Sequence, residues 1–211
     1  FAFILRRLLQ AVFVMVTVAF IAFLLFQFVG DPVLFMLGQD ATAEQITELR
    51  QALGLDRSFI VQFWSFLVNA AQGDFGQSLR QGGKVSGLIA ERLPATLELA
   101  LVAAGLALVI GVPMGVYAAL RRGSFLSQSF MMFSLLGVSL PTFLIGILLI
   151  LVFSVWLGWF PSFGRGDTVK VGGWNSGLLT LDGWHHVVLP GITLAIFQLT
   201  LIMRLVRAEM L

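Results

Sequence analysis

The chain has 211 residues, of which 58% are hydrophobic and only 11% are charged. Soluble domains are about half apolar and about a quarter charged, so a soluble fold could not cover 20 phenylalanines and 5 tryptophans here. Cysteine is absent, which excludes disulfides and a cysteine nucleophile. A formal net charge of +2 is too small to indicate nucleic acid as a partner. The composition therefore predicts a membrane protein.

Four apolar stretches are long enough to cross a bilayer, whose hydrocarbon core of about 30 Å needs roughly 20 residues of helix. They are residues 8–29, 95–120, 125–160 and 187–206. Only helices and closed barrels satisfy the backbone in lipid, and these lengths suit helices. The first stretch exceeds a signal-peptide core and lacks a small-residue cleavage site, so we predict a retained anchor.

The third stretch allows two interpretations. One straight helix would be roughly 50 Å long, which is too long for one span. We favour a single span with an interfacial lead-in from Phe125 to about Phe133, kinked further on by Pro141. The alternative is two spans joined by a turn at residues 139–142.

The arginines predict the orientation, because inner loops of membrane proteins are enriched in basic residues. With a cytoplasmic N-terminus and four crossings, the inner side holds six basic residues and one acid, and the outer side seven and nine. The aromatic residues Trp156, Trp159 and Phe160 then lie where the third span leaves on the outer side, as in an interfacial belt.

The outer loop at residues 30–93 has helical signals of its own. Thr42 with Gln45 forms a capping-box pattern, and this helix is predicted to end at Gly54. A second helix at residues 58–71 is too short to span and should lie on the membrane surface or pack against the spans.

Weaker local signals follow in both outer loops. We expect a turn at residues 73–76 and a third short helix at residues 85–92, which ends before Pro94. In the second outer loop, residues 161–186, weak alternation at residues 168–171 predicts a small hairpin.

No catalytic constellation is present in the sequence, and no metal site is predicted. His185 and His186 are adjacent, so on a helix they diverge by about 100° and cannot easily hold one ion. Glu98 lies one turn inside the second predicted span. It faces either a pathway or, as we favour, the headgroups, because an acid is stabilised near a helix N-terminus.

Five polar or helix-breaking residues within the spans are the candidates for a translocation path. Pro141 must lose one backbone hydrogen bond, and the hydroxyls of Ser139 and Thr142 are close enough in sequence to satisfy the freed carbonyl. Gln198 and Thr200 lie deep in the last span, where they either line a path or make interhelical hydrogen bonds.

Small residues along the second span predict close helix packing, above all Gly105, Gly111 and Gly115. These observations predict a helical membrane protein with four spans and a folded outer loop, and they do not by themselves indicate its function.

A set of motifs in a fixed order carries a resemblance to a known family. The motifs are LLFQFVGDP (24–32), LGLDRSFIVQFWSFLVNAAQGDFGQSL (53–79), ERLPATLELALVA (91–103), SLPTFLIGILLILVFSVWLGWFPSFG (139–164) and HHVVLPGITLA (185–195). Together they make the chain similar to the first permease subunit of bacterial ABC importers for dipeptides, oligopeptides, nickel or glutathione. The segment between Arg165 and Trp184 is longer than is usual in this family, so no role is carried over to it.

The resemblance implies an all-α helical bundle with three parts. Residues 1–29 would be an N-terminal anchor helix, residues 30–93 an extracytoplasmic helical region, and residues 94–211 the first part of the permease core. We expect both ends to be trimmed, with the cytoplasmic coupling segment of the family following Leu211.

The resemblance also implies the function and the partners. The chain would form half of the pathway of a multi-pass inner-membrane importer that works by alternating access, for peptides or a related small solute. An extracytoplasmic binding protein would deliver the solute, a second homologous permease would complete the path within the lipid bilayer, and two ATPase subunits would bind ATP and magnesium. The chain itself would hold no cofactor and would not be an enzyme.

Two other classes stay open on physical grounds. A membrane subunit of a non-ABC transporter would normally use intramembrane ionisable pairs and repeats, whereas here only Glu98 is intramembrane and no repeat is visible. A structural membrane subunit is the second alternative.

Overall fold

The computed structural model describes residues 2–29, 32–38, 41–78, 81 and 83–211, and it is mostly helical. Its helices are α1 (Ala2–Val29), α2 (Pro32–Leu37), α3 (Ala43–Ala52), α4 (Phe59–Ala71), α5 (Val85–Leu120), α6 (Phe125–Ser139), α7 (Thr142–Leu149), a π-helix (Ile150–Trp156) and α8 (Leu181–Glu209). A two-stranded antiparallel hairpin, β1 (Val169–Val171) and β2 (Trp174–Ser176), precedes α8. This architecture confirms the predicted all-α fold class and the predicted hairpin.

The chain divides into two compact units, with the boundary between Ala90 and Glu91. Within the described residues, three helices are long and apolar enough to cross a membrane, and the bent pair formed by α6 and α7 would make a fourth span. Seven residues of the predicted first outer loop lie outside the described residues, namely Gly30, Asp31, Gln39, Asp40, Leu79, Arg80 and Gly82.

In the first unit, a cluster of aromatic rings joins the short apolar helix α4 to the anchor helix α1. Phe20 and Phe23 of α1 contact three phenylalanines of α4, with ring centroids 5.2 to 6.0 Å apart. The α4 rings are Phe59, Phe63 and Phe66. Several of the pairs are edge-to-face, an arrangement that contributes beyond simple burial. Of the two positions predicted for this short helix, on the membrane surface or against a span, the ring contacts support packing against a span.

Local signals in the first unit fold as their sequences predict. The Thr42 hydroxyl accepts a hydrogen bond from the Gln45 backbone N–H, and the Thr42 backbone N–H donates to the Gln45 side-chain oxygen, which completes the capping box of α3. Gly54 ends that helix with a φ of 68°, a conformation that favours glycine. In the predicted turn, the Asp74 carboxylate accepts a hydrogen bond of 3.0 Å from the Gly76 backbone.

The prediction of a separate helix at residues 85–92 is wrong, because α5 runs without interruption from Val85 to Leu120. Pro94 is buried inside this helix, where it removes the N–H that would otherwise bond to the Ala90 carbonyl without ending the helix. At 1.5 Å per residue the helix is about 54 Å long, which is longer than the roughly 30 Å hydrocarbon core of a bilayer, so part of it extends beyond that core.

Helices α5 and α8 of the second unit run parallel and in close contact. Gly191 lies against Val102, Gly111 against the Leu199 carbonyl, and Gly115 against the Met203 carbonyl, so the contacts advance in step along both helices. Buried Ala103, Ala107, Ala195 and Leu199 form the core of this contact. The predicted close packing is confirmed at Gly111 and Gly115, whereas Gly105 is exposed and an added Cβ there would meet no neighbour.

Helices α6 and α7 also pack on α8, and they meet at an angle of 105°. Gly137 of α6 approaches Thr200 and Ile196, Gly146 of α7 approaches Thr193, and the Phe160 ring lies 6.0 Å from His185. Successive residues of the chain from α6 to Phe160 therefore contact α8 at positions progressively closer to the N-terminal end of α8. Because parallel α5 and α8 need an odd number of crossings between them, this geometry favours one broken span over two.

Candidate functional site

The break between α6 and α7 is the main irregularity of the spans, and it is sharper than the kink that the sequence predicts. Leu140 is extended, with a φ of −86° and a ψ of 133°, and α7 restarts after Pro141. A proline disfavours the helical conformation of the residue before it, and it has no N–H to offer the Gly137 carbonyl. Helix α6 therefore ends at Ser139 instead of bending through the proline.

The residues of the break are accessible on the surface of this chain. Ser139, Leu140 and Pro141 are exposed, and Thr142 is half-buried. Non-helical backbone at membrane depth is tolerated only where it is buried in protein or lines a water-filled cavity. Because the described residues of the second unit do not cover the break, another part of the protein, a partner chain or water has to do so.

The helix that follows the break is irregular as well. After Leu149, the chain continues as a π-helix over Ile150–Trp156. Wide turns of this kind are rare and frequently occur at functional sites. The broken span thus departs from regular α-helix both at its midpoint and in the arm that follows.

Thr200 is brought close to the break but does not line an open surface. Its side chain is wholly buried, and its hydroxyl donates to the Phe197 carbonyl at 2.7 Å. A Cβ placed on Gly137 would lie 2.6 Å from the Thr200 methyl group. In this structure Thr200 therefore fills a contact between α6 and α8.

Gln198 is exposed, and the structure does not bring it together with the break. Two residues along an α-helix are separated by about 200°, so Gln198 lies on the side of α8 away from Thr200. Its exposed neighbours Leu194, Leu201 and Leu205 share that side. An amide exposed at membrane depth is costly in lipid, so this face indicates a covering partner or an aqueous surface.

Glu98 has a different environment from the headgroup position that the sequence favours. It is 6% exposed and accepts hydrogen bonds from the Trp174 indole at 3.1 Å and from the Gly177 backbone at 3.1 and 3.2 Å. Arg165 lies 3.5 Å away and also donates to the Asn175 carbonyl. The partners are 67 to 79 residues distant in sequence, so sequence reasoning missed them. The one feature of the sequence that could have indicated this contact was an acid inside a span followed by an arginine in the next outer loop.

Two profiles of one family of transport proteins match successive parts of the chain. The N-terminal part of the membrane component of binding-protein-dependent transport systems matches residues 1–100. The inner membrane component of the same systems matches residues 111–211. The chain belongs to this family. The match confirms the resemblance to ABC importer permeases and identifies the chain as part of an inner membrane protein.

Relatives of this chain carry the names of two transport systems. A putative peptide transport system permease protein of Brucella suis biovar 1 (strain 1330) is 42% identical over 212 residues, covering the whole chain and 65% of that protein. The glutathione transport system permease protein GsiC of Escherichia coli (strain K12) is 34% identical over 208 residues, covering 98% of the chain and 63% of that protein. The chain thus spans just under two thirds of the length of these relatives.

Proposed function

We propose that this chain forms part of one half of the translocation pathway of an ATP-driven importer, in which the break between α6 and α7 borders the path. The exposed, non-helical residues Leu140 and Pro141 carry the proposal, because a break in a helix at membrane depth is tolerated only beside protein or water. A static structural subunit would gain nothing from leaving this irregular segment uncovered.

The proposed path residues differ in their roles. Ser139, Pro141 and Thr142 border the solute or the water that accompanies it, and Gln198 lies on a second exposed face. Thr200 would act indirectly, by setting the distance between α6 and α8 from its buried position.

The N-terminus is proposed to be cytoplasmic. Parallel α5 and α8 both end near arginines, at Arg121 and Arg122 and at Arg204 and Arg207, so one side of the membrane receives both basic ends. Basic residues accumulate on the cytoplasmic side of membrane proteins, which assigns the hairpin at the opposite end to the outside.

The proposed solute is a peptide or a small peptide-like molecule. The support is the names of the relatives, which describe peptide and glutathione transport systems. An extracytoplasmic binding protein would deliver the solute, and a second permease of the same fold would cover the exposed faces of the broken span and of Gln198. Two ATPase subunits would bind ATP and magnesium and carry out hydrolysis, so no catalytic step or cofactor is assigned to this chain.

The first test is Pro141→Ala in the full-length complex, with Pro113→Ala as its matched control. Pro113 lies inside the uninterrupted helix α5, so its replacement leaves every helix boundary in place. If the break serves the path, Pro141→Ala strongly reduces uptake of labelled di- and tripeptides while assembly and ATP binding stay normal. Normal uptake with full assembly would leave Pro141 with a packing role only.

A second test does not depend on how well the proline variant assembles. Ser139→Cys should react with a small water-soluble thiol reagent, because this position would border water. Gly105→Cys is the control, since Gly105 is exposed on a regular part of α5 with no neighbour within 4 Å of an added Cβ. Equal, slow labelling of both cysteines would contradict a water-lined break.

A further inference from the structure

The segment from Pro161 to Thr180, here called the strap, connects the broken span to α8 and contains the β1–β2 hairpin. Several of its groups converge on the Glu98 carboxylate of α5, among them the Arg165 guanidinium, the Trp174 indole and the Gly177 backbone N–H. Both carboxylate oxygens receive donors, so the charge of this buried acid is satisfied by the strap alone. An ionisable group inside a span is costly without such partners.

The strap is also fixed to the first turn of α8. The Asp182 carboxylate accepts a hydrogen bond of 2.7 Å from the Asp167 backbone, and within the strap the hydroxyl of Thr180, the N-cap of α8, donates to the Asp167 carbonyl at 2.7 Å. A Cβ on Gly166 would lie 2.6 Å from the His186 ring, and one on Gly183 would collide with the Gly177 carbonyl. These contacts are close enough that the strap cannot shift on α8 without breaking hydrogen bonds.

The strap therefore joins α5 and α8 at one end of their parallel contact. A cavity of about 180 Å³ lies beneath it, lined by both helices and by strap residues that include Arg165 and Leu178. Beyond the cavity, the two helices stay in contact from Val102 and Gly191 to Gly115 and Met203. Helix α5, the strap and helix α8 thus pack together as one connected unit.

We propose that Glu98 is a positioning residue that fastens the strap to α5, so that α5, the strap and α8 move as one rigid body during transport. The inference rests on the proposed function, because it concerns motion in the transport cycle. Conformational motion would then occur elsewhere, at the break between α6 and α7 and at the contacts with partner subunits. Glu98 itself does not contact the solute.

A disulfide tests whether α5 and α8 stay together. The chain contains no cysteine, and a Cβ on Gly191 would lie 3.9 Å from the Val102 Cβ, within the range of about 3.5–4.5 Å that a disulfide requires. Val102→Cys also removes the methyl group that would crowd the new Gly191→Cys side chain. In the full-length complex, the oxidised pair should transport labelled di- and tripeptides as fast as the reduced pair. Loss of uptake on oxidation that is reversed by reduction would overturn the proposal.

The second part of the test removes the contact between Glu98 and the strap. Glu98→Ala should lower uptake by about 2- to 30-fold, the range typical of residues that couple moving parts, and the oxidised Val102→Cys/Gly191→Cys pair should restore most of it. Reduction of the disulfide should abolish this rescue of uptake. If Glu98→Ala merely lowered the stability of the complex, uptake would not follow the oxidation state of the cysteine pair in this way. The matched control is Glu91→Ala, because Glu91 is an exposed acid on the same helix.

Wild-type uptake by Glu98→Ala, or a deficit that oxidation does not repair, would contradict the proposal. If Glu98→Ala does not assemble, the disulfide in the wild-type background decides alone. Absence of peptide uptake by the unaltered complex would instead contradict the proposed function. In that case, the rigid body is tested by measuring ATP hydrolysis stimulated by the binding protein. The rates of the complex with the oxidised and with the reduced Val102→Cys/Gly191→Cys pair are compared, as for uptake.

Discussion

Gly115 offers the sharpest test of the packing between α5 and α8. A Cβ at this position would lie 2.7 Å from the Met203 carbonyl oxygen and 2.8 Å from the Val206 Cβ, both well inside van der Waals contact. The closest group is backbone, so it cannot rotate away. Gly105 lies ten residues earlier on the same helix, and a Cβ added there would have no neighbour within 4 Å, which makes it a matched control.

The two substitutions should change the free energy of unfolding in opposite directions. Alanine gains about 1 kcal/mol over glycine in a helix, so Gly105→Ala should stabilise by up to that amount. At Gly115 the same gain is opposed by an overpacking cost of about 1–3 kcal/mol, which leaves a destabilisation of up to about 2 kcal/mol. The two variants should therefore differ by about 1–3 kcal/mol.

Thermal unfolding of the full-length complex in detergent, followed by size-exclusion chromatography after heating, measures this difference. The complex is a larger unfolding unit than this chain, so the shift in Tm per kcal/mol is small, and the expected result is that the Tm of Gly115→Ala lies below that of Gly105→Ala. The reasoning would be refuted if Gly115→Ala raised the Tm as much as Gly105→Ala, because the two helices would then not be in close contact.

Three other outcomes are expected. Gly137→Ala should lower the Tm of the complex, because the added Cβ would lie 2.6 Å from the Thr200 methyl group. Adding Thr200→Ser should restore the Tm, because serine lacks that methyl group and keeps the hydroxyl. A lack of rescue would contradict the contact between these two residues. Cysteines at Gln81 and Gly173 should react with an impermeant thiol reagent from outside, and one at Gly123 should not; the reverse pattern would disprove the orientation. The chain without a second permease should aggregate, and a monodisperse monomer that unfolds cooperatively would count against this.

Local rules account well for the elements that the sequence predicts. The capping box of Thr42 and Gln45 and the glycine at Gly54 act within a few residues, so their geometry needs no tertiary partner. The spans can also be predicted from the sequence, because the bilayer requires a minimum number of consecutive apolar residues. The family could likewise be recognised from ordered motifs spread over most of the chain.

Prolines show where the local rules are insufficient. Pro94 is accommodated within a continuous helix, whereas Pro141 accompanies a complete break with a change of direction of 105°. Both positions remove one backbone donor. What distinguishes them is packing, since Pro94 is buried and Pro141 is exposed beside arms that each contact α8.

By itself, the sequence determined the fold class, the apolar spans and the family, because hydropathy, capping and motif order are local or additive along the chain. Only the tertiary structure decided the partners of Glu98, which come from a loop 67 to 79 residues away. It also separated Gln198 from the break and buried Thr200 against α6. These outcomes depend on which helix faces meet, and a side chain's neighbours across a helix contact are set by packing that no single segment encodes.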